Sequence, residues 1–127
     1  MAEMVYWGLF FEHETLLSTL EQKIEHPHVT FGYKTQPPAH FFDILGSWAT
    51  VDVIGYGKNE DNEGYAVSLS QHQARMYQGA STPHITTSVS KCGRPKDTAK
   101  LDFGPYYERV LCGRWGWFGT DGKVHFE

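Results

Sequence analysis

The sequence predicts an α+β domain built mainly from antiparallel strands, and three observations carry that reading. Two segments, 28–34 and 84–90, alternate residue by residue between two sets of side chains, as half-buried strands do. Several other runs are rich in β-branched and aromatic residues and are separated by short polar or glycine-bearing turns. Only one stretch, 12–25, spaces its apolar residues as a helix does, with a shorter candidate at 41–45. One or two helices among many strands define the class.

Each element has a local reason. Residues 5–11 form an aromatic and β-branched run of strand length. In 12–25, Leu16, Leu17, Leu20 and Ile24 fall at helical spacing behind acidic residues, and Pro27 ends the helix. Strand 28–34 places His28, Thr30, Gly32 and Lys34 on one face and Val29, Phe31 and Tyr33 on the other, so Tyr33 reads as core. Pro37 and Pro38 break the chain before 41–45, one or two helical turns stopped by Gly46. Segments 48–56 and 64–69 read as a hairpin, and 71–82 is less regular. Strand 84–90 sets His84, Thr86, Ser88 and Ser90 opposite Ile85, Thr87 and Val89. The tail adds runs at 106–112 and 115–118, and Asp121-Gly122 turns the chain into 123–126.

The chain has 127 residues, which fits a single domain over 1–127 with no linker. Its apolar content of 40% excludes disorder. No run approaches the roughly 20 apolar residues of a membrane helix. The acidic start of the chain is unlike a secretory signal. Cys92 and Cys112 are too few for a disulfide framework, so a cytoplasmic setting without membrane contact is expected. The net charge of −4 excludes a general nucleic-acid coater. That total hides an asymmetry: residues 1–64 carry 10 acids and 3 bases, and residues 65–127 carry 5 acids and 8 bases. The bases gather at Lys91, Arg94, Lys96, Lys100, Arg109 and Arg114, either as a solvated surface or as a local field for an anion.

The two alternating strands also share a motif. Pro27-His28-Val29-Thr30 and Pro83-His84-Ile85-Thr86 both read Pro-His-aliphatic-Thr. With 7 His and 17 Ser plus Thr in 127 residues, chance supplies about one His-x-Thr/Ser, and His13-Glu14-Thr15 fills that place. Two copies in one context exceed chance. Residues i and i+2 of a strand project from one face about 6–7 Å apart, so each motif presents an imidazole beside a hydroxyl. Two such strands can surround one phosphate. One neutral and one protonated imidazole supply a general base and a general acid, and two hydroxyls hold the non-bridging oxygens.

On these residues the chain resembles the two-histidine (2H) phosphoesterase superfamily, and within it the cyclic-phosphodiesterase domain of tRNA ligases and LigT-like phosphodiesterases. The resemblance runs from the first strand to about residue 103, and the segment 88–103 is similar to the region after the second motif in the tRNA-ligase domains. It implies a compact, two-lobed antiparallel sheet domain with the active cleft between the lobes, and His28, Thr30, His84 and Thr86 as catalytic residues. It implies hydrolysis of a 2′,3′-cyclic phosphate on a nucleotide or RNA end, commonly to a 2′-phosphate, without metal or other cofactor. Viral relatives degrade cyclic di- or trinucleotide immune signals with the same four residues, which makes a cyclic oligonucleotide a rival partner. Rival functions are a non-catalytic nucleotide-binding module and a zinc hydrolase using His26 and His28. The protein is expected as a monomer or small homo-oligomer. Lobes this short imply a shallow cleft for a small or terminal substrate.

Candidate substrate contacts are Tyr6 or Trp7, of which alternation turns only one inward, to stack on a base. Lys34, on the motif face, and one or two of Lys91, Arg94 and Lys96 are candidates for phosphate.

Overall fold

The computed structural model describes residues 2–106 and 108–127. Met1 and Tyr107, the latter within the predicted strand 106–112, lie outside the described residues. In chain order the elements are β1 (Met4–Phe10), β2 (Gln22–Lys23), β3 (His28–Tyr33), α1 (Ala39–Ile44), β4 (Trp48–Lys58), β5 (Asn62–Ser68), α2 (Gln71–Met76), β6 (His84–Val89), a 3-10 helix (Pro95–Lys100), β7 (Arg109–Gly119) and β8 (Val124–His125). The eight strands form one antiparallel sheet in the order β2-β6-β5-β4-β7-β1-β3, with β8 on β7. The predicted α+β class holds, with three short helices.

One face of the sheet carries the core. Alternation turns Trp7, Leu9 and Phe11, Val29 and Phe31, Val51 and Val53, Tyr65 and Val67, Ile85, and Leu111 and Trp115 to the same side, where they join Phe41 of α1 and Met76 of α2. Pro38 starts α1 and Gly46, at φ 86°, follows it. Helix α2 begins in a capping box between Ser70 and Gln73, within the segment expected to be less regular. The opposite face carries His28, Thr30, His84 and Thr86.

Behind this layout lies a pseudo-two-fold relation that the register makes explicit. Leaving out β2 and β8, the order β6-β5-β4 mirrors β3-β1-β7. In the first half the partners are Trp7↔Gly32, Gly8↔Thr30, Leu9↔Val29 and Phe10↔His28. In the second they are Glu63↔Ser88, Gly64↔Thr86, Tyr65↔Ile85 and Ala66↔His84, each residue 56 positions after its counterpart. Both ladders slip after the motif threonine, leaving Phe31 and Thr87 as bulged residues without a cross-strand partner. The Phe11 N–H donates to the Pro27 carbonyl as Val67 N–H does to that of Pro83, at 2.9 and 3.0 Å. The axis crosses the β4–β7 ladder, where Val51 pairs with Leu111 and Asp52 with Val110. The two lobes are therefore halves of one continuous sheet, and the motif strands β3 and β6 approach each other across its seam.

The segment between the halves of each unit differs from expectation in the first lobe. Residues 12–25 are not helical but form an irregular strap ending in β2. Its backbone N–H groups donate to side chains of the core face instead of to carbonyls four residues back. Leu17 N–H donates to the Tyr65 hydroxyl at 3.1 Å, Thr19 N–H to the Glu63 carboxylate at 2.6 Å and Leu20 N–H to the Ser88 hydroxyl at 3.1 Å. Leu17 is consequently exposed. The tail runs at 106–112 and 115–118 merge into the single strand β7. No helix among the described residues is long and apolar enough to cross a membrane.

Candidate active site

The bulge that follows each motif decides what faces the cleft. Before it, His28 and Thr30 project from one face and Val29 from the other. After it the alternation reverses, so Gly32 pairs with the core residue Trp7, and Tyr33 pairs with Tyr6 on the cleft side. Tyr33 is 57% exposed and lines the cleft, which corrects its assignment to the core. In β6 the same reversal carries Ser88 to the core face, where its hydroxyl donates to Glu63 at 2.7 Å.

All four motif residues, His28, Thr30, His84 and Thr86, line one cleft of about 900 Å³. That volume is at the upper end of ordinary small-molecule sites, about 300–1,000 Å³, and is larger than two minimal lobes imply. The remaining wall includes Tyr6, Ile24, Tyr33, Gln78, Arg94 and Lys96.

The two imidazoles are held alike. Nδ1 of His28 lies 2.7 Å from the His26 carbonyl, and Nδ1 of His84 lies 2.8 Å from that of Thr82. A carbonyl can only accept, so in each ring Nδ1 carries a proton and donates it. The neutral ring then keeps an unprotonated Nε2 for a ligand. Burial lowers His28 to about 4, against the opposing bond to the His26 carbonyl, with smaller pushes downward from His84 and His26. Burial also lowers His84 below its ordinary 6.5, against its bond to Thr82. The surroundings of the rings differ, however. Tyr6 stacks on His28 with centroids 4.5 Å apart, and Phe10 lies at 5.2 Å.

The two threonines differ as well. The Thr30 hydroxyl makes no hydrogen bond with the described residues. The Thr86 hydroxyl donates to the Pro95 carbonyl at 2.9 Å and lies 2.8 Å from the Thr98 hydroxyl. A hydroxyl has one proton, so Thr98 donates to Thr86 while accepting from the Asn62 amide at 3.0 Å. Thr30 is thus free to donate to a ligand, and Thr86 would first have to exchange its bond to Pro95.

Of the candidate substrate contacts, the cleft gathers Tyr6, Arg94 and Lys96. Trp7 is not among them: it is fully buried on the core face against Phe31 and Phe41, as alternation with Tyr6 requires. Lys34 is also outside, because φ of 53° turns it off the strand end and its ammonium lies over the outer Tyr33 ring, 5.4 Å from the centroid. Lys91 is exposed away from the cleft and 3.6 Å from Glu21. Sequence reasoning missed Tyr33, Thr35, Gln78, Gly79 and Ala80. Tyr33 is hidden by the bulge, and the others sit in loops without a periodic signal.

His26 and His28, the His-x-His pair, do not converge. His26 contacts Glu12 at 2.9 Å and Glu25 at 3.7 Å, while its backbone carbonyl holds His28. Among the described residues no three His, Cys, Asp or Glu side chains are placed to share a metal ion. His13 stands apart from the cleft, its ring tilted against Trp48 with centroids 5.8 Å apart, beside a cavity of about 240 Å³. In comparisons with family models, curated proteins and solved structures, nothing matches this chain.

Proposed function

We propose that the protein is a phosphodiesterase that opens a 2′,3′-cyclic phosphate of a nucleotide or RNA end by two-histidine acid–base catalysis, needing no metal. One observation carries the reading. Two His-x-Thr strands with the same register and the same Nδ1-to-carbonyl anchor line a single cleft.

The roles follow from the surroundings. His28, packed beneath Tyr6 and lowered to about 4, is neutral over most of the useful pH range and acts as base. His84 is the acid, because a bound phosphate anion favours its imidazolium form. Water attacks phosphorus as its proton passes to Nε2 of His28. The bond from phosphorus to one ribose oxygen breaks, and that oxygen takes the proton from Nε2 of His84. The product is a phosphomonoester beside a free hydroxyl, and proton exchange with solvent restores both rings. Thr30 donates to a non-bridging oxygen, where charge grows in the transition state. Tyr33 or Tyr6 offers a ring face to the base.

The test is product analysis of nucleoside 2′,3′-cyclic phosphates in the presence of EDTA. Turnover should survive the chelator and fall by about 10²–10⁴-fold in His28→Ala and in His84→Ala. Full activity in the double variant, or activity only with added zinc, would overturn the reading. The cleft volume of about 900 Å³ also admits a cyclic oligonucleotide, and the same assay extended to cyclic dinucleotides separates the two substrates.

A further inference from the structure

We propose that Arg94 and Lys96 form a second anion subsite, making the substrate one that carries another phosphate besides the one that reacts. This rests on the phosphodiesterase reading and names its substrate class.

The basic segment spends most of its charge elsewhere. Lys91 is placed against Glu21, Lys100 lies 3.3 Å from Asp97, and Arg109 lies 3.8 Å from Glu14. Arg114 is held between the Trp48 and Phe126 rings, with its Nε on the Gly46 carbonyl at 2.8 Å. Arg94 and Lys96 have no carboxylate partner among the described residues, and they are the members of the segment that line the cleft. In a protein of net charge −4, two unneutralised cations at one cleft mouth create a local field of sign opposite to the whole.

Their placement is built. The Asn62 amide donates to the Arg94 carbonyl at 2.7 Å, and the Thr86 hydroxyl donates to the Pro95 carbonyl at 2.9 Å. Asn62 is 2% exposed and Thr98, which joins Asn62 to Thr86, is fully buried. A buried polar network thus pins the backbone on which both cations stand, directly to a motif residue. Buried hydrogen bonds of this kind hold geometry more tightly than surface contacts do.

The pseudo-two-fold sharpens the point. Tyr6 is the counterpart of Asn62 in the register, and instead of clamping a loop it stacks on His28. One wall of the cleft is therefore aromatic, with Tyr6 and Tyr33, and the other is cationic. A cyclic phosphodiester carries a single negative charge and already has the histidines and Thr30. Two further cations match a second phosphate, with a base against the aromatic wall and the reacting group between. That phosphate can be a 5′-phosphate on the same nucleotide or the internucleotide phosphate of an RNA end.

The experiment compares kcat/KM for three substrates in EDTA at low ionic strength. They are a nucleoside 2′,3′-cyclic phosphate, its 5′-phosphorylated form, and a dinucleotide ending in the same cyclic phosphate. At least one substrate with a second phosphate should exceed the first by about tenfold or more, and which one identifies the phosphate. The advantage should vanish in Arg94→Gln/Lys96→Gln and persist in Lys91→Gln, a residue that lies against Glu21 and does not line the cleft. Equal kcat/KM for all three, or an advantage retained in the double variant, overturns the subsite while leaving the phosphodiesterase reading intact. Turnover of none of them overturns that reading and this one together.

Discussion

Tyr6 is the residue that separates two otherwise matched histidines. Its ring covers His28 at 4.5 Å, and burial in turn pushes the Tyr6 phenol up to about 12, with Glu12 adding to the rise. Because His28 titrates near 4 and His84 below 6.5, one neutral and one protonated ring coexist on the acidic side of neutrality. The kcat/KM profile of the free protein should therefore be bell-shaped with its maximum below pH 6.5. Replacing Tyr6 by Ala admits water to His28 and should move its titration from about 4 toward the ordinary 6.5. NMR titration of the His28 ring protons reads this directly, and an unmoved midpoint would show that Tyr6 is not what dries the ring. At this scale the sequence is most legible. His28, Thr30, His84 and Thr86 stand out because a repeated motif needs no knowledge of the chain path. The unequal duties of Thr30 and Thr86 are not legible, since they depend on Pro95 and Thr98 arriving from another loop.

The elements that matter most are the bulged ladders, and each requires a glycine opposite its threonine. A Cβ on Gly8 would lie 2.0 Å from the Val29 carbonyl oxygen, and one on Gly64 would lie 2.3 Å from that of Ile85. Backbone cannot yield there without moving the motif strand. Gly8→Ala and Gly64→Ala should each cost about 1–3 kcal/mol in urea unfolding and lower activity beyond what the unfolded fraction explains. Wild-type stability in either would mean that the strands tolerate another register. The bulges also explain where the sequence misleads. Unbroken alternation through 28–34 sends Tyr33 to the core and Lys34 to the cleft, each one slip from its true side. The strap at 12–25 misleads for a different reason. Its leucines have helical spacing, but Glu63, Tyr65 and Ser88 offer its N–H groups better partners than its own carbonyls. That competition is set by residues more than 40 positions away and leaves no local trace.

For the whole molecule, three titratable groups, the desolvated rings of His28 and His84 and the buried carboxylate of Glu63, tie stability to pH in the same direction. The unfolded chain protonates His28 near 6.5 and the folded one only near 4, so across that window the unfolded state binds more protons and stability falls as pH falls. The shift amounts to about 3 kcal/mol. Glu63 is fully buried; burial alone would raise it, but bonds from Ser88, Thr19 and Tyr56 outweigh that and hold it near 2 against 4.5. Its contribution is complete above 4.5 and is lost as pH drops toward 2. Urea midpoints should thus decline in two stages, from pH 6.5 to 4 and from 4.5 to 2, and His28→Gln should shrink the first stage to the share of His84 while leaving the second unchanged. A midpoint constant from about pH 7 to 4 would contradict the desolvated, neutral His28.

The seam between the motif strands has one more implication. Ile24 N–H donates to the bulged Thr87 carbonyl of the second half at 2.9 Å, and Gln78 N–H donates to the bulged Phe31 carbonyl of the first at 2.8 Å. Each half thus lends its connecting segment to finish the other's histidine strand. Clasped in this way, the two halves should unfold together and not one before the other. A single urea transition should then remove the tertiary fold and the cleft together, so that any chain still folded is a chain with both histidines in place.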